Sequence, residues 1–323
     1  MIHKLALPTP FQVGRVNLYL IEDDPLTLVD TGPNSGRALD ELEQGLAALG
    51  FRVEDLGLIV LTHQHIDHIG LASILARRSG AEVAALDALA PWLADYSKRM
   101  EADDRFAEEL MLRHGVPSDV GFALRAVSSA FRGWGSAVTV TRPLAPGSTL
   151  KLRDREFQVL HRPGHSPSDT VLFDEERREM LGGDHVIGHI SSNPLITRPL
   201  DGDDGSDARP SALLTYLDSL RATQAMDIDV IHAGHGEPVH DHAELIDSRF
   251  RAHERRAAKI HKLLADGPLT AHEIAQRLWG NVALTQAYLT LSEVLGHLDL
   301  LATRDQVTAD APDDTGVVRY RTA

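Results

Sequence analysis

The chain has no cysteine among its 323 residues. That excludes a disulfide frame, a thiolate nucleophile and thiolate metal ligands, so any metal site must be built from nitrogen and oxygen. Long apolar runs are missing too. No stretch approaches the roughly eighteen apolar residues of a membrane span, and Met1-Ile2-His3-Lys4 opens no signal-peptide core. The expectation is a cytosolic protein with no membrane partner. Basic charge is scarce: 32 Lys and Arg against 47 Asp and Glu give a formal net charge of −15. This balance opposes non-specific affinity for nucleic acid or anionic membrane, although a local basic patch escapes the average. With 43% hydrophobic and 24% charged residues, the composition is that of a globular protein. Its length allows one large core and a small second domain.

What is present is a dense histidine cluster. Leu61-Thr62-His63-Gln64-His65-Ile66-Asp67-His68-Ile69-Gly70 follows the apolar run Leu58 to Leu61. Neutral imidazoles and carboxylates are ligands for Zn²⁺ and similar divalent ions. His63 and His65 lie two apart, so at a strand end they leave from one face. Asp67 and His68 fall where the chain turns into a helix and approach from another direction. Split in this way, the cluster can hold two metals. A polar loop merely rich in histidine is the plainer alternative.

Short strands are expected over residues 11 to 30, the last being Leu26 to Val29 with Asp30-Thr31-Gly32-Pro33 at its end. Leu39, Leu42, Leu46 and Leu49 recur at helical spacing before Gly50. Leu71, Ile74 and Leu75 predict a helix ending at Gly80, and Ala81 to Leu86 a strand. From Pro91 to Trp134 the pattern is helical. Phe122, Ala126, Val127, Ala130, Phe131 and Trp134 form an apolar face, read as packed core or as a wall for substrate. Three later strands end in polar turns: Phe157 to Leu160 before His161 and His165, Met180-Leu181 before Asp184-His185, and Ile228 to Ile231 before His232 and His235. With Asp30 and the opening cluster, five strand ends deliver His or Asp into glycine-containing turns. α/β scaffolds collect catalytic groups at such an edge.

A smaller unit follows from about Asp247. Phe250, Ala257, Ile260 and Leu264 share a helix face, beside a basic stripe of Arg251, Arg255, Lys259 and Lys262. Thr270-Ala271-His272-Glu273 is a capping box opening another helix, and a third covers about Leu284 to His297. Arg304 to Thr308 and Val317 to Tyr320 can pair as a hairpin. Three helices closed by a hairpin is a winged-helix arrangement.

These ordered motifs resemble the metallo-β-lactamase superfamily over about residues 10 to 240. The resemblance implies an α/β fold, the four-layer αββα sandwich, for residues 1–245 with a helical insertion at about 88–142. Residues 246–323 resemble, less closely, the winged-helix-like extension of the lactamase-like endoribonuclease branch. Carried onto this chain, the resemblance places His63, His65 and His165 on one metal and Asp67, His68 and His235 on a second. Asp184 would bridge, and Asp30 would stand behind an imidazole and orient it. Asp67 would also steer or relay a proton. Two divalent ions are implied, zinc first, with iron or manganese also suited to such ligands. An aspartate at position 184 and the lack of cysteine resemble glyoxalase II, thioesterases, lactonases and the ribonuclease branch rather than the cysteine-bearing lactamases. The tyrosine that quorum-quenching lactonases place near their metals has no counterpart between Asp184 and Leu200.

The leading expectation is a dinuclear hydrolase that cleaves a small-molecule thioester, ester or lactone by attack of a metal-bridging hydroxide. A metal-dependent endoribonuclease acting on single-stranded RNA is the alternative, suggested by the C-terminal resemblance and the basic stripe. A DNA-binding regulator is a third. Its recognition helix, Leu284 to Val294, contains no Lys or Arg, which is poor equipment for reading bases. The C-terminal unit is read as a structural or dimerising cap, with a homodimer as the expected assembly. His161, His185, His189 and His232 are given no metal role, and Ser191-Ser192-Asn193 is read as a loop near the pocket.

Overall fold

The computed structural model describes residues 1–200 and 209–323. Six strands form one sheet in the order β1 (Ile2–Leu7), β2 (Val16–Ile21), β3 (Thr27–Val29), β4 (Leu58–Val60), β5 (Glu82–Leu86) and β6 (Arg142–Leu144). β1 to β3 pair antiparallel, and β3 to β6 pair parallel. Parallel neighbours need crossovers. α1 (Gly36–Ala48) supplies one between β3 and β4; α2 (Ile66–Ile69) and α3 (Ala72–Ser79) supply the next. A second sheet runs β7 (Thr149–Lys151), β8 (Glu156–His161), β9 (Thr170–Asp174), β10 (Glu179–Gly183) and β11 (Val230–Ala233).

The sheets meet through apolar side chains. Tyr19, Ile21, Val29, Leu58 and Val60 from the first pack with Phe157, Val159, Leu172 and Leu181 from the second. β2 to β4 are buried along their whole length, so the alternation of Val16, Leu18 and Leu20 with Asn17 and Tyr19 does not mark an exposed face. α1 buries Ala38, Leu42 and Leu46, and Ser35 caps it by accepting from the Ala38 amide at 3.1 Å.

Strand direction positions the site. β9 is antiparallel to both β8 and β10, and β11 is parallel to β10, so β8, β10 and β11 share one direction. β3 and β4 likewise run together. The residues that follow these five strands are Asp30, the histidine cluster, His165, Asp184 and His235. They gather at one edge because their strands finish there. β1, β6, β7 and β9 escaped the sequence reading: their apolar pattern is short, and pairing along the sheet gives them their register.

Packing divides the chain differently from a boundary near residue 245. One compact unit comprises Met1–Met100, Phe131–Ser192 and Ala225–His242; the other comprises Glu101–Ala130, Asn193–Gln224 and Ala243–Ala323. The second unit has its own core, in which Leu110, Met111, Leu213 and Leu217 are buried with Ile260, Ile274, Leu291 and Leu295. α4 (Ala90–Ala94) belongs to the first unit; the second includes most of α5 (Tyr96–Arg113), most of α6 (Ser118–Phe131), α7 (Ala212–Gln224), α8 (His242–Leu263), α9 (Ala271–Trp279), α10 (Val282–Thr285), α11 (Ala287–Ala302), β12 (Val307–Ala309) and β13 (Tyr320–Thr322). The Thr270–Glu273 capping box is formed, and the hairpin sits two or three residues later in the chain than the sequence suggested. The helix expected over Leu284 to His297 breaks at Gln286, whose φ of −128° and ψ of 42° are not helical.

Of the two readings of the α6 apolar face, packed core fails: Phe122 and Val127 are 69% and 52% exposed. The helix turns Val120 and Leu124 toward the core instead. On its packed side Arg125 donates to Glu108 at 2.7 Å and Ser128 to Asp104 at 2.5 Å.

Candidate metal centre

Asp30 is the residue from which the site is built. It follows β3 with a φ of 62°, a left-handed conformation that Asp tolerates better than most side chains. Its amide donates to the Val60 carbonyl at 2.8 Å, which ties the ends of β3 and β4 together. The buried carboxylate accepts from the Thr62 amide at 2.9 Å, from the Thr62 hydroxyl at 2.9 Å and from His68 Nδ1 at 2.7 Å. Since the Thr62 proton goes to Asp30, its oxygen accepts from His63 Nδ1 at 3.0 Å. One carboxylate thereby orients two imidazoles, with Nε2 of His63 and of His68 turned away from it.

His63 and His65 are not in a strand, since β4 ends at Val60. They lie in the loop beyond it and still converge. His63 Nε2 is 3.0 Å from His65 Nδ1, and His165 Nε2 is 2.9 Å from that same atom. Asp184, with Oδ2 3.6 Å from His165 Nε2, completes this first group. The second group is Asp67, His68 and His235. Asp67 and His68 lie in the one-turn helix α2, as their position after the loop requires. His235 turns its Nδ1 to the Arg15 carbonyl at 2.8 Å, leaving Nε2 facing Asp67 Oδ2 at 3.5 Å. Asp184 reaches this group as well: Oδ1 is 3.4 Å from His68 Nε2, and Oδ2 is 3.4 Å from His235 Nε2. All seven residues of the expected set are therefore brought together, in two groups joined by Asp184.

The charge balance is that of a ligand set. Burial holds His63 well below the usual imidazole range and His65 at about 3, so both are neutral donors. Burial alone would push Asp184 up, but His68 and His235 beside it hold it well below the carboxylate range. Burial likewise opposes a charge on His235, and Asp184 overcomes this to raise it to about 9. Two buried atoms, His68 Nε2 and Asp184 Oδ1, have no hydrogen-bond partner. Interior polar atoms are rarely left so unless a further group completes them. This donor set, five imidazole nitrogens and two carboxylates, fits a dinuclear site for divalent ions.

Several supporting residues were not read from sequence. Thr62 relays Asp30 to His63. Ser192, expected to be a plain loop residue, is buried and donates to the Asp184 carbonyl at 2.5 Å. Gly234 is needed for space, because a Cβ there would overlap Asp184 Oδ1. Asn17 holds the same turn from β2, its side-chain amide donating to Ala233 at 3.0 Å and to Gly236 at 2.8 Å. Thr62 and Gly234 adjoin motif residues, whereas Ser192 and Asn17 stand apart from any motif and carried no signal. Of the four histidines given no metal role, His161 bonds the Pro167 carbonyl and His232 packs on Tyr19. Phe11, on the β1–β2 loop that also carries Arg15, packs its ring 5.6 Å from that of Phe131.

Among the described residues no helix is long and apolar enough to cross a membrane. The family model of the metallo-beta-lactamase superfamily matches residues 12–235, which span every residue of both groups. A probable metallo-hydrolase of Bacillus subtilis, YqjP, is 34% identical over 305 residues, covering 94% of this chain and 93% of its own. A hydroxyacylglutathione hydrolase of Haemophilus influenzae, GloC, is 25% identical over 177 residues, covering 54% of this chain and 68% of its own. The crystal structure of a metallo-beta-lactamase family protein from Thermus thermophilus superposes with a TM-score of 0.80 at 27% identity, covering 100% of this chain and 98% of that one. Matched in its motifs, over its length and in its fold, the chain belongs to the metallo-beta-lactamase superfamily and is a metal-dependent hydrolase.

Proposed function

We propose that the protein hydrolyses a small-molecule thioester, ester or lactone at a centre of two divalent ions, zinc in the first instance. The observation that carries this reading is Asp184, whose two oxygens face the first and second groups at 3.4 to 3.6 Å. His63, His65 and His165 would hold one ion, and Asp67, His68 and His235 the other, with Asp184 shared. Bound there, the pair supplies Lewis-acid polarisation of a carbonyl and lowers the pKa of water toward about 7.

The chain's own residues do the rest. Asp30 fixes the His68 imidazole and, through Thr62, the His63 imidazole, so both present Nε2. Asp67 stands at the edge of the second group with a carboxylate held low: burial opposes its charge, but His235 and His68 outweigh that. One of its oxygens can ligate while the other steers water and accepts its proton. GloC is named for hydrolysis of a hydroxyacylglutathione, an acyl–sulfur bond that the same arrangement suits. An acidic chain favours a small substrate over RNA. The basic stripe on α8 is partly neutralised, since Arg251 pairs with Glu244 at 2.7 Å.

The test is an activity panel of acyl-CoA and glutathione thioesters, aryl esters, lactones, a cephalosporin and single-stranded RNA, run with zinc, manganese and iron. Thioester or ester turnover that disappears in Asp184→Ala is expected. Full turnover in metal-free protein, or RNA cleavage that survives purification and vanishes in the same variant, would overturn the reading.

A further inference from the structure

A third group of metal-type side chains lies in the second compact unit, on helices that contribute nothing to the centre described above. Glu293 and His297 are four apart on α11 and so share one helix face, and His253 comes from α8. One ligand atom from each lies within 4.8 Å of the others. His297 Nδ1 donates to the Glu293 carbonyl at 2.6 Å, which leaves Nε2 as a bare lone pair. That lone pair faces His253 Nδ1 at 3.2 Å, close to the 2.9 and 3.0 Å separations among the imidazole nitrogens of the first group. His297 is fully buried and His253 is 5% exposed. His253 Nε2, on the other side of that ring, has no hydrogen-bond partner. Arg256 anchors the carboxylate, lying 3.4 Å from Glu293 Oε1 and 5.0 Å over the Trp279 ring.

We infer that His253, Glu293 and His297 form a structural site for one zinc-type divalent cation that clamps α8 to α11. Two imidazoles and one carboxylate supply three positions of a tetrahedron, and water takes the fourth. A buried His–His hydrogen bond without metal is the competing outcome, and counting metal separates the two. Zinc-loaded, desalted protein is assayed by plasma mass spectrometry as wild type, as His253→Ala and as the variant His65→Ala/Asp184→Ala/His235→Ala, which disables the other centre. The wild type should hold one equivalent more than His253→Ala. The triple variant should keep one equivalent, and its thermal midpoint should rise on adding zinc. Equal zinc in wild type and His253→Ala, or a folded triple variant that binds none, overturns the inference. Should His253→Ala not fold, the triple variant decides alone. Failure of the dinuclear reading looks different: wild type and triple variant would carry the same zinc.

Discussion

Asp30 and His68 are joined by a 2.7 Å hydrogen bond between two fully buried side chains, and the carboxylate also takes both polar hydrogens of Thr62. Asp30→Asn tests this hub cleanly. Asparagine tolerates the left-handed backbone at position 30, so the change acts on the acceptor set rather than on φ. An amide has one acceptor oxygen where three donors converge. At least one N–H or O–H is left facing an NH₂, at a cost of about 2 kcal/mol. Metal affinity should fall about 10- to 100-fold. Competition against a chromophoric chelator reads this directly, and unchanged affinity would mean that Asp30 does not orient His68.

Gly234 lies between two side chains that must not move. A Cβ there would overlap Asp184 Oδ1 and meet His68 Cε1 at 2.9 Å, while the Gly234 amide is tied to the Gly183 carbonyl at 2.6 Å. The backbone cannot retreat, so Gly234→Ala displaces Asp184. Turnover is expected to drop at least about 100-fold, in keeping with the cost of ångström-scale misplacement at a reacting centre. Circular dichroism should stay that of the parent. Parent-level turnover would show that Asp184 relaxes without consequence.

The shared position of Asp184 makes a third expectation numerical. His65→Ala touches only the first group, and His68→Ala only the second. Each should lose about one metal equivalent relative to the parent, whereas Asp184→Ala should lose more than either. If Asp184→Ala lost no more than His65→Ala, Asp184 would belong to one ion alone.

The site was more legible than the scaffold because its residues are chemically unusual for where they sit. His63, His65, Asp67 and His68 are too dense to be incidental, and Asp30, His165, Asp184 and His235 each follow an apolar run. Thr62 and Ser192 were invisible because hydroxyls occur everywhere and their meaning comes from the partner that folding brings to them. The stripe from Phe122 to Phe131 misled for a related reason. Helical periodicity identifies an apolar face, but Val120 and Leu124, on another side of α6, are the residues packed against the core. The boundary near residue 245 missed that Leu110, Met111, Leu213 and Leu217 join the C-terminal core, a relation with no local signature.

His114 supplies a pH dependence separable from the metals. It is 4% exposed, stacks on Tyr320 at 5.9 Å, and is held at about 3 by burial first and by Arg209 and Arg113 next. An unfolded histidine titrates near 6.5. Because the folded value is the lower one, the unfolded chain binds the extra proton between these limits. The contribution to stability is whole above about pH 6.5 and is lost as pH falls through the window down to about 3. At pH 5 the loss from this residue is roughly 2 kcal/mol. Urea unfolding at pH 7 and pH 5 measures it, with His114→Gln as the control that cannot titrate. The variant should be less stable than wild type at pH 7, where an orphaned or misfitting amide costs packing, and should lose about 2 kcal/mol less on going to pH 5. Equal losses in the two proteins would mean that His114 protonates in place without opening the core.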